Sequence, residues 1–141
     1  MEHLFFNKER DSKENEFVIN ISDITSKESI IEAYAQQMHC SYFGKNWDAL
    51  SECVSDFSWI SQDYIVIIHS SMERLKKDVK NIYLEIIFDS IMFLDSLLKE
   101  GKKVKHVDFV FDKRDKDYIE KYYFSYVSGK NTGTFLKNKS L

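Results

Sequence analysis

The stretch Tyr42-Phe43-Gly44-Lys45-Asn46-Trp47-Asp48-Ala49-Leu50-Ser51-Glu52-Cys53-Val54-Ser55 gathers the side chains best suited to chemistry in this chain. Apolar Trp47, Leu50, Val54 and Phe57 step by three and four, which predicts a short helix that Asn46 can cap. Advancing about 100° per residue from Asp48 brings Ser51, Glu52 and Ser55 within about 60° of it, whereas the apolar set centres about 140° away. One face therefore turns to the core. The other projects two carboxylates and two hydroxyls beside a loop bearing Tyr42 and Phe43. Aromatic anchors next to acceptor-rich groups suit a cationic protein surface. An ordinary solvated helix face shows the same pattern, with Asp48 favouring its own helix start and Tyr42 packing on its neighbours.

The remaining reactive side chains form no comparable group. Cys40 or Cys53 as a nucleophile with His39 or His69 as base would make an enzyme. Against this, Cys53 lies toward the core face of its helix, and adjacency in sequence alone does not make His39 and Cys40 a working pair. The two cysteines are expected to be reduced thiols. His3, His39, His69 and His106 are scattered, and His39-Cys40 with Cys53 fits no paired zinc spacing, so no metal, cofactor or catalytic residue is assigned.

The elements that must position the acidic face can be read from periodicity. Residues 7–16 are nearly all polar and read as an exposed lead-in, before a short strand over Phe17-Val18-Ile19-Asn20-Ile21. Ser26, with Ser29 three residues on and Glu28 in the first turn, starts a helix whose Ile30, Ile31, Tyr34 and Met38 recur at helical spacing. After the capped helix, Tyr64-Ile65-Val66-Ile67-Ile68 reads as a strand covered on both faces. Residues 72–81 read as helical, and a stronger helix runs from about Ile82 to Glu100 with Gly101 as its stop. Val104–Phe111 is a third strand, and the tyrosine-rich segment beyond Asp112 is read as an added helix. Three strands joined by helical crossovers predict an α/β fold: a three-stranded parallel sheet packed by about four helices.

At 141 residues, with 43% apolar and 15% aromatic residues, the chain is long enough for one domain with a real core. The expected organisation is a polar lead-in over 1–15, a core domain over 16–112 and a basic, tyrosine-rich extension over 113–141. No apolar run reaches the length of a membrane span, and the first residues do not resemble a signal peptide, so a cytoplasmic location is expected. The net charge of -3 conceals an asymmetry: residues 1–112 carry -7 and residues 113–141 carry +4. An acidic body disfavours nucleic acid and suits a cationic partner.

The run Tyr42-Phe43-Gly44-Lys45-Asn46-Trp47-Asp48-Ala49-Leu50-Ser51-Glu52-Cys53 resembles the most recognisable segment of the barstar family, intracellular inhibitors of a secreted bacterial ribonuclease, barnase. The order of elements also looks like that fold, over roughly residues 16–112. The resemblance implies that loop and helix plug a ribonuclease active site, with acidic groups standing where substrate phosphates would lie. By position, Tyr42, Gly44, Asn46 and Asp48 match family interface residues, Glu52 sits where the dominant inhibitory aspartate lies, and Ser55 matches a threonine. Lys45 replaces an acid, Ser51 replaces a tryptophan, and Glu52 is one methylene longer than aspartate, which points to a cognate nuclease other than barnase.

The implied function is that of an immunity or antitoxin protein, not an enzyme, monomeric when free, that occludes a ribonuclease toxin through Tyr42, Phe43, Gly44, Asn46, Trp47, Asp48, Ser51, Glu52 and Ser55. An RNA-binding accessory role for the extension is the alternative, with Lys130, Lys137 and Lys139 on phosphates and Tyr122, Tyr123 or Tyr126 stacking on bases. Tyrosines at this density also serve simply to pack an added helix.

Overall fold

A computed structural model describes residues 3–6, 10–39 and 46–130. Four strands, β1 (Leu4–Phe6), β2 (Phe17–Ile21), β3 (Tyr64–His69) and β4 (His106–Phe111), form one parallel sheet in the order β1-β4-β3-β2. The helices are α1 (Lys27–Met38), α2 (Trp47–Cys53), α3 (Lys77–Lys99) and α4 (Lys116–Lys130), the last preceded by a 3₁₀ turn at Lys113–Asp115. The α/β class and parallel sheet agree with the sequence expectation, but the sheet has four strands rather than three. The added strand is β1, only three residues long, too short to show the alternation by which strands are recognised. The helical segment over 72–81 is likewise corrected. Residues before Lys77 form turns, and those from Lys77 onward belong to α3.

Local chemistry sets the helix ends. Ser26 and Ser29 form a reciprocal capping box at the start of α1, and His39 ends it in the left-handed region at φ 53°. Gly101 stops α3 at φ 80°, a conformation that costs glycine least.

The direction of the crossovers decides which face each connection covers. Stepping from β2 to β3 to β4 moves one way across the sheet, so right-handed crossovers place their helices on one side. That side is the core: Leu4, Phe6, Ile19, Ile21, Ile65, Ile67, Val107, Phe109 and Phe111 alternate inward to meet Ile30, Tyr34, Leu50, Tyr83, Leu84, Phe88 and Ile119. The connection from β1 to β2 runs the opposite way and lies on the opposite face. There Arg10 seats its Nε 2.7 Å from Asp108 Oδ2 on β4 and its Nη2 2.5 Å from Glu16 Oε2. This segment covers the outer face only in part. Val66 is buried, but Val18, Tyr64 and Ile68 remain about two-fifths exposed, so β3 is not covered on both faces as its apolar run suggested.

The side chains of Arg10, Glu16 and Asp108 are 7%, 11% and 3% exposed, so removing the guanidinium would leave two nearly dry carboxylates. Arg10→Ala should destabilise the fold by about 3 kcal/mol in urea unfolding, despite lying in a polar lead-in. A loss below about 0.5 kcal/mol, the range of an ordinary surface substitution, would show that the segment does not clasp the sheet.

Candidate functional site

The acidic face is carried by α2, a helix of seven residues, too short to hold itself in place without tertiary contacts. At its start Asn46 Oδ1 accepts the Ala49 N–H at 2.8 Å, the type of cap whose loss typically costs about 1 kcal/mol. At its end the Ser90 hydroxyl on α3 donates to the Val54 carbonyl. Its inner residues Leu50, Cys53 and Val54 are fully buried. Downstream, Trp59 Nε1 donates to the Met38 carbonyl at 2.7 Å, fixing the end of α1 against the segment that follows α2.

Beneath α2 runs a buried hydrogen-bond chain that joins four elements. The Val110 carbonyl on β4 can only accept, so His69 Nδ1, 2.9 Å away, carries the ring proton. Nε2 is then the acceptor and takes the Tyr83 hydroxyl at 2.5 Å. Tyr83 Oη in turn accepts from Tyr34 on α1 at 2.5 Å. Burial pushes the His69 imidazole down to about 4, against the raising effect of its carbonyl partners, and it pushes both tyrosine hydroxyls up. Trp47 lies across this chain, stacked on Tyr83 with ring centroids 6.5 Å apart, and Lys27 Nζ stands over the indole, 5.6 Å from its ring centroid.

With the inner face so held, Asp48 and Glu52 are exposed on the outer one, Asn46 is exposed, and Trp47 and Ser51 are half-buried. No ion pair among the described residues engages either carboxylate. Ser55 lies past the helix end, its N–H on the Glu52 carbonyl at 3.2 Å, and lines a cleft of about 330 Å³ with Phe57, Leu94 and Lys103. Tyr42, Phe43 and Gly44, together with Lys45 and Cys40, lie outside the described residues.

Of the residues in the enzyme alternative, Cys53 and His69 lie in the core, His39 is exposed and Cys40 lies outside the described residues. Cys53 is fully buried, and both nitrogens of His69 are engaged by Val110 and Tyr83. The tyrosines of α4 serve packing. Phe88 on α3 is ringed by Tyr122, Tyr123 and Tyr126 at 6.3, 5.0 and 5.3 Å, Tyr118 donates to Asn81, and Tyr126 donates to Asp89. Lys137 and Lys139 fall outside the described residues. Among the described residues, no helix is long and apolar enough to cross a membrane.

Sequence reasoning missed the support beneath α2. Tyr34 and Tyr83 are 49 residues apart, Tyr34 read only as one of the periodic positions of its helix, Tyr83 was not singled out, and His69 stood out only as a candidate base. The apolar run read as β3 stopped at Ile68, one residue short of His69, and being unbroken it carried no alternation to mark an inward face.

Because His69 is neutral when folded and takes up a proton when unfolded, its contribution is intact above pH 6.5 and is lost as pH falls through the folded value of about 4. Unfolding free energy should drop by about 3 kcal/mol across that window from this group, and the His69 ring resonances should not titrate above pH 5. A ring titrating with a midpoint near 6.5 would contradict the buried chain.

A family model described as Barstar (barnase inhibitor) matches residues 14–91, from just before β2 into α3. No curated protein matches the chain.

Proposed function

The chain belongs to the barstar family, and from that premise we propose that it is an immunity protein that plugs the active site of a cognate bacterial ribonuclease toxin. Family membership supports inhibition of a barnase-type ribonuclease in general. The more specific reading rests on one observation: α2 presents Asp48 and Glu52 to solvent while its opposite face is pinned by Asn46, Trp47 and Ser90. An enzyme that cleaves RNA must hold phosphates on cations, and carboxylates on a prepositioned helix can occupy those cations without the entropy cost of ordering a loop. In this reading Tyr42, Phe43 and Gly44 contact the rim of the toxin's site, Ser51 and Ser55 supply hydrogen bonds, and the protein acts as a cytoplasmic monomer without a cofactor.

Inhibition would be assayed as protection of RNA from barnase-type ribonuclease domains, including any encoded beside this gene. Against the enzyme that is inhibited, Glu52→Ala should weaken binding by about 2–4 kcal/mol, mostly through faster dissociation, with stability changed by no more than about 0.5 kcal/mol. Asp48→Ala should weaken binding less, since part of its role is to stabilise its own helix start. Parent-like binding by Glu52→Ala would show that another face engages the toxin.

Charge predicts the kinetics. With -7 over residues 1–112 opposite a cationic site, the association rate should fall steeply as ionic strength rises to physiological, while dissociation changes little. A salt-independent association rate would make the acidic balance incidental to recognition.

A further inference from the structure

We propose that His3, His106 and Asp108 form a binding site for one zinc ion that ties β1 to β4. His3 Nδ1 lies 3.2 Å and His106 Nε2 lies 3.0 Å from the same oxygen, Asp108 Oδ1, and the three ligand atoms fall within 4.8 Å of one another. Ligands held at zinc bond lengths of about 2.0–2.1 Å in a tetrahedron are spaced by roughly 3.3 Å, so two of the three separations already match. Two imidazoles with one carboxylate favour zinc and its transition-metal neighbours over magnesium or calcium, which take oxygen ligands.

The surroundings favour a cation. Arg10 is shared between Asp108 and Glu16, so one guanidinium faces two carboxylates. Arg10 holds only the far oxygen, Oδ2, at 2.7 Å, leaving Oδ1 to the two imidazoles. That is the arrangement in which an outer partner orients a metal-binding carboxylate. The histidine side chains are 20% and 41% exposed, which gives an ion access and leaves room for water as a fourth ligand.

The backbone delivers His3 to this place at a cost. Its φ of 73° lies in the left-handed region, and the conformation is held because its carbonyl accepts the Phe109 N–H at 2.8 Å. Such strain persists only where surrounding contacts enforce it, and it is common at ligand sites. The ligands come from chain positions more than a hundred residues apart, so no local spacing announces them, and all three lie outside residues 14–91 of the family match. The assignment of no metal from sequence rested on local spacing alone.

The test uses untagged full-length protein stripped with a chelator and titrated with zinc chloride by calorimetry, with thermal melts in parallel. One zinc per chain should bind and raise the melting temperature in a concentration-dependent way. His3→Ala and His106→Ala should each weaken zinc binding at least tenfold, while His39→Asn, at an exposed histidine outside the cluster, should bind as the parent does. His106→Gln, which keeps a polar group beside Asp108, should lose zinc as well and guards against misfolding of the alanine variants. Cobalt, as a spectroscopic probe, should give visible absorption that disappears in His106→Gln. Absence of binding at millimolar zinc, or affinity unchanged in the His3 and His106 variants, would overturn the site.

Discussion

The placement of α2 depends on Tyr83. Its hydroxyl is donor to His69 and acceptor from Tyr34, and its ring is the floor on which Trp47 lies. Through this one side chain α1, α2, α3, β3 and β4 are joined in a dry interior, where a polar group left without a partner costs about 1–3 kcal/mol. The Val110 carbonyl at the far end sets the tautomer of His69 and, with it, the direction of every proton in the chain. A seven-residue helix with little stability of its own thereby becomes a fixed platform, and the exposure of Asp48 and Glu52 follows from what its inner face must touch.

The sheet imposes a second constraint. Crossovers from β2 through β4 put α1, α2 and α3 on one face, where α4 packs against α3, and the reverse step from β1 to β2 sends a charged segment across the other. Arg10 explains how a buried Asp108 is tolerated in a central strand: burial would raise its carboxyl, but hydrogen bonds from His3 and Arg10 and the charges of His106 and Arg10 bring it down to about 2. The outer face is thus a polar clasp over one end of an otherwise partly exposed sheet.

Much of this was legible in the residues. The Ser26 and Asn46 caps, the Gly101 stop, the three longer strands and the two-faced character of α2 all rest on local rules, and local rules are what a single sequence carries. What was not legible depends on distance along the chain. Three residues of β1 become a strand only because β4 offers a free edge. His3, Arg10 and Asp108 meet only after the sheet forms, and Tyr34, His69 and Tyr83 sit on three elements that only the packed fold brings together. The acidic face was read from helical geometry, and its meaning came from the aromatic-Gly-x-Asn-x-Asp-Ala-Leu pattern of Phe43 to Leu50, not from the geometry itself.

The central claim is that the outer face of α2 takes the place of substrate phosphate in a ribonuclease. It is tested most directly by competition between this chain and a non-cleavable oligonucleotide for the inhibited enzyme, at constant ionic strength. The account predicts mutual exclusion: the apparent dissociation constant of the protein should rise in proportion to oligonucleotide concentration, with no ternary complex. An apparent affinity that does not change as the oligonucleotide saturates the enzyme would contradict it, because binding would then lie away from the phosphate site.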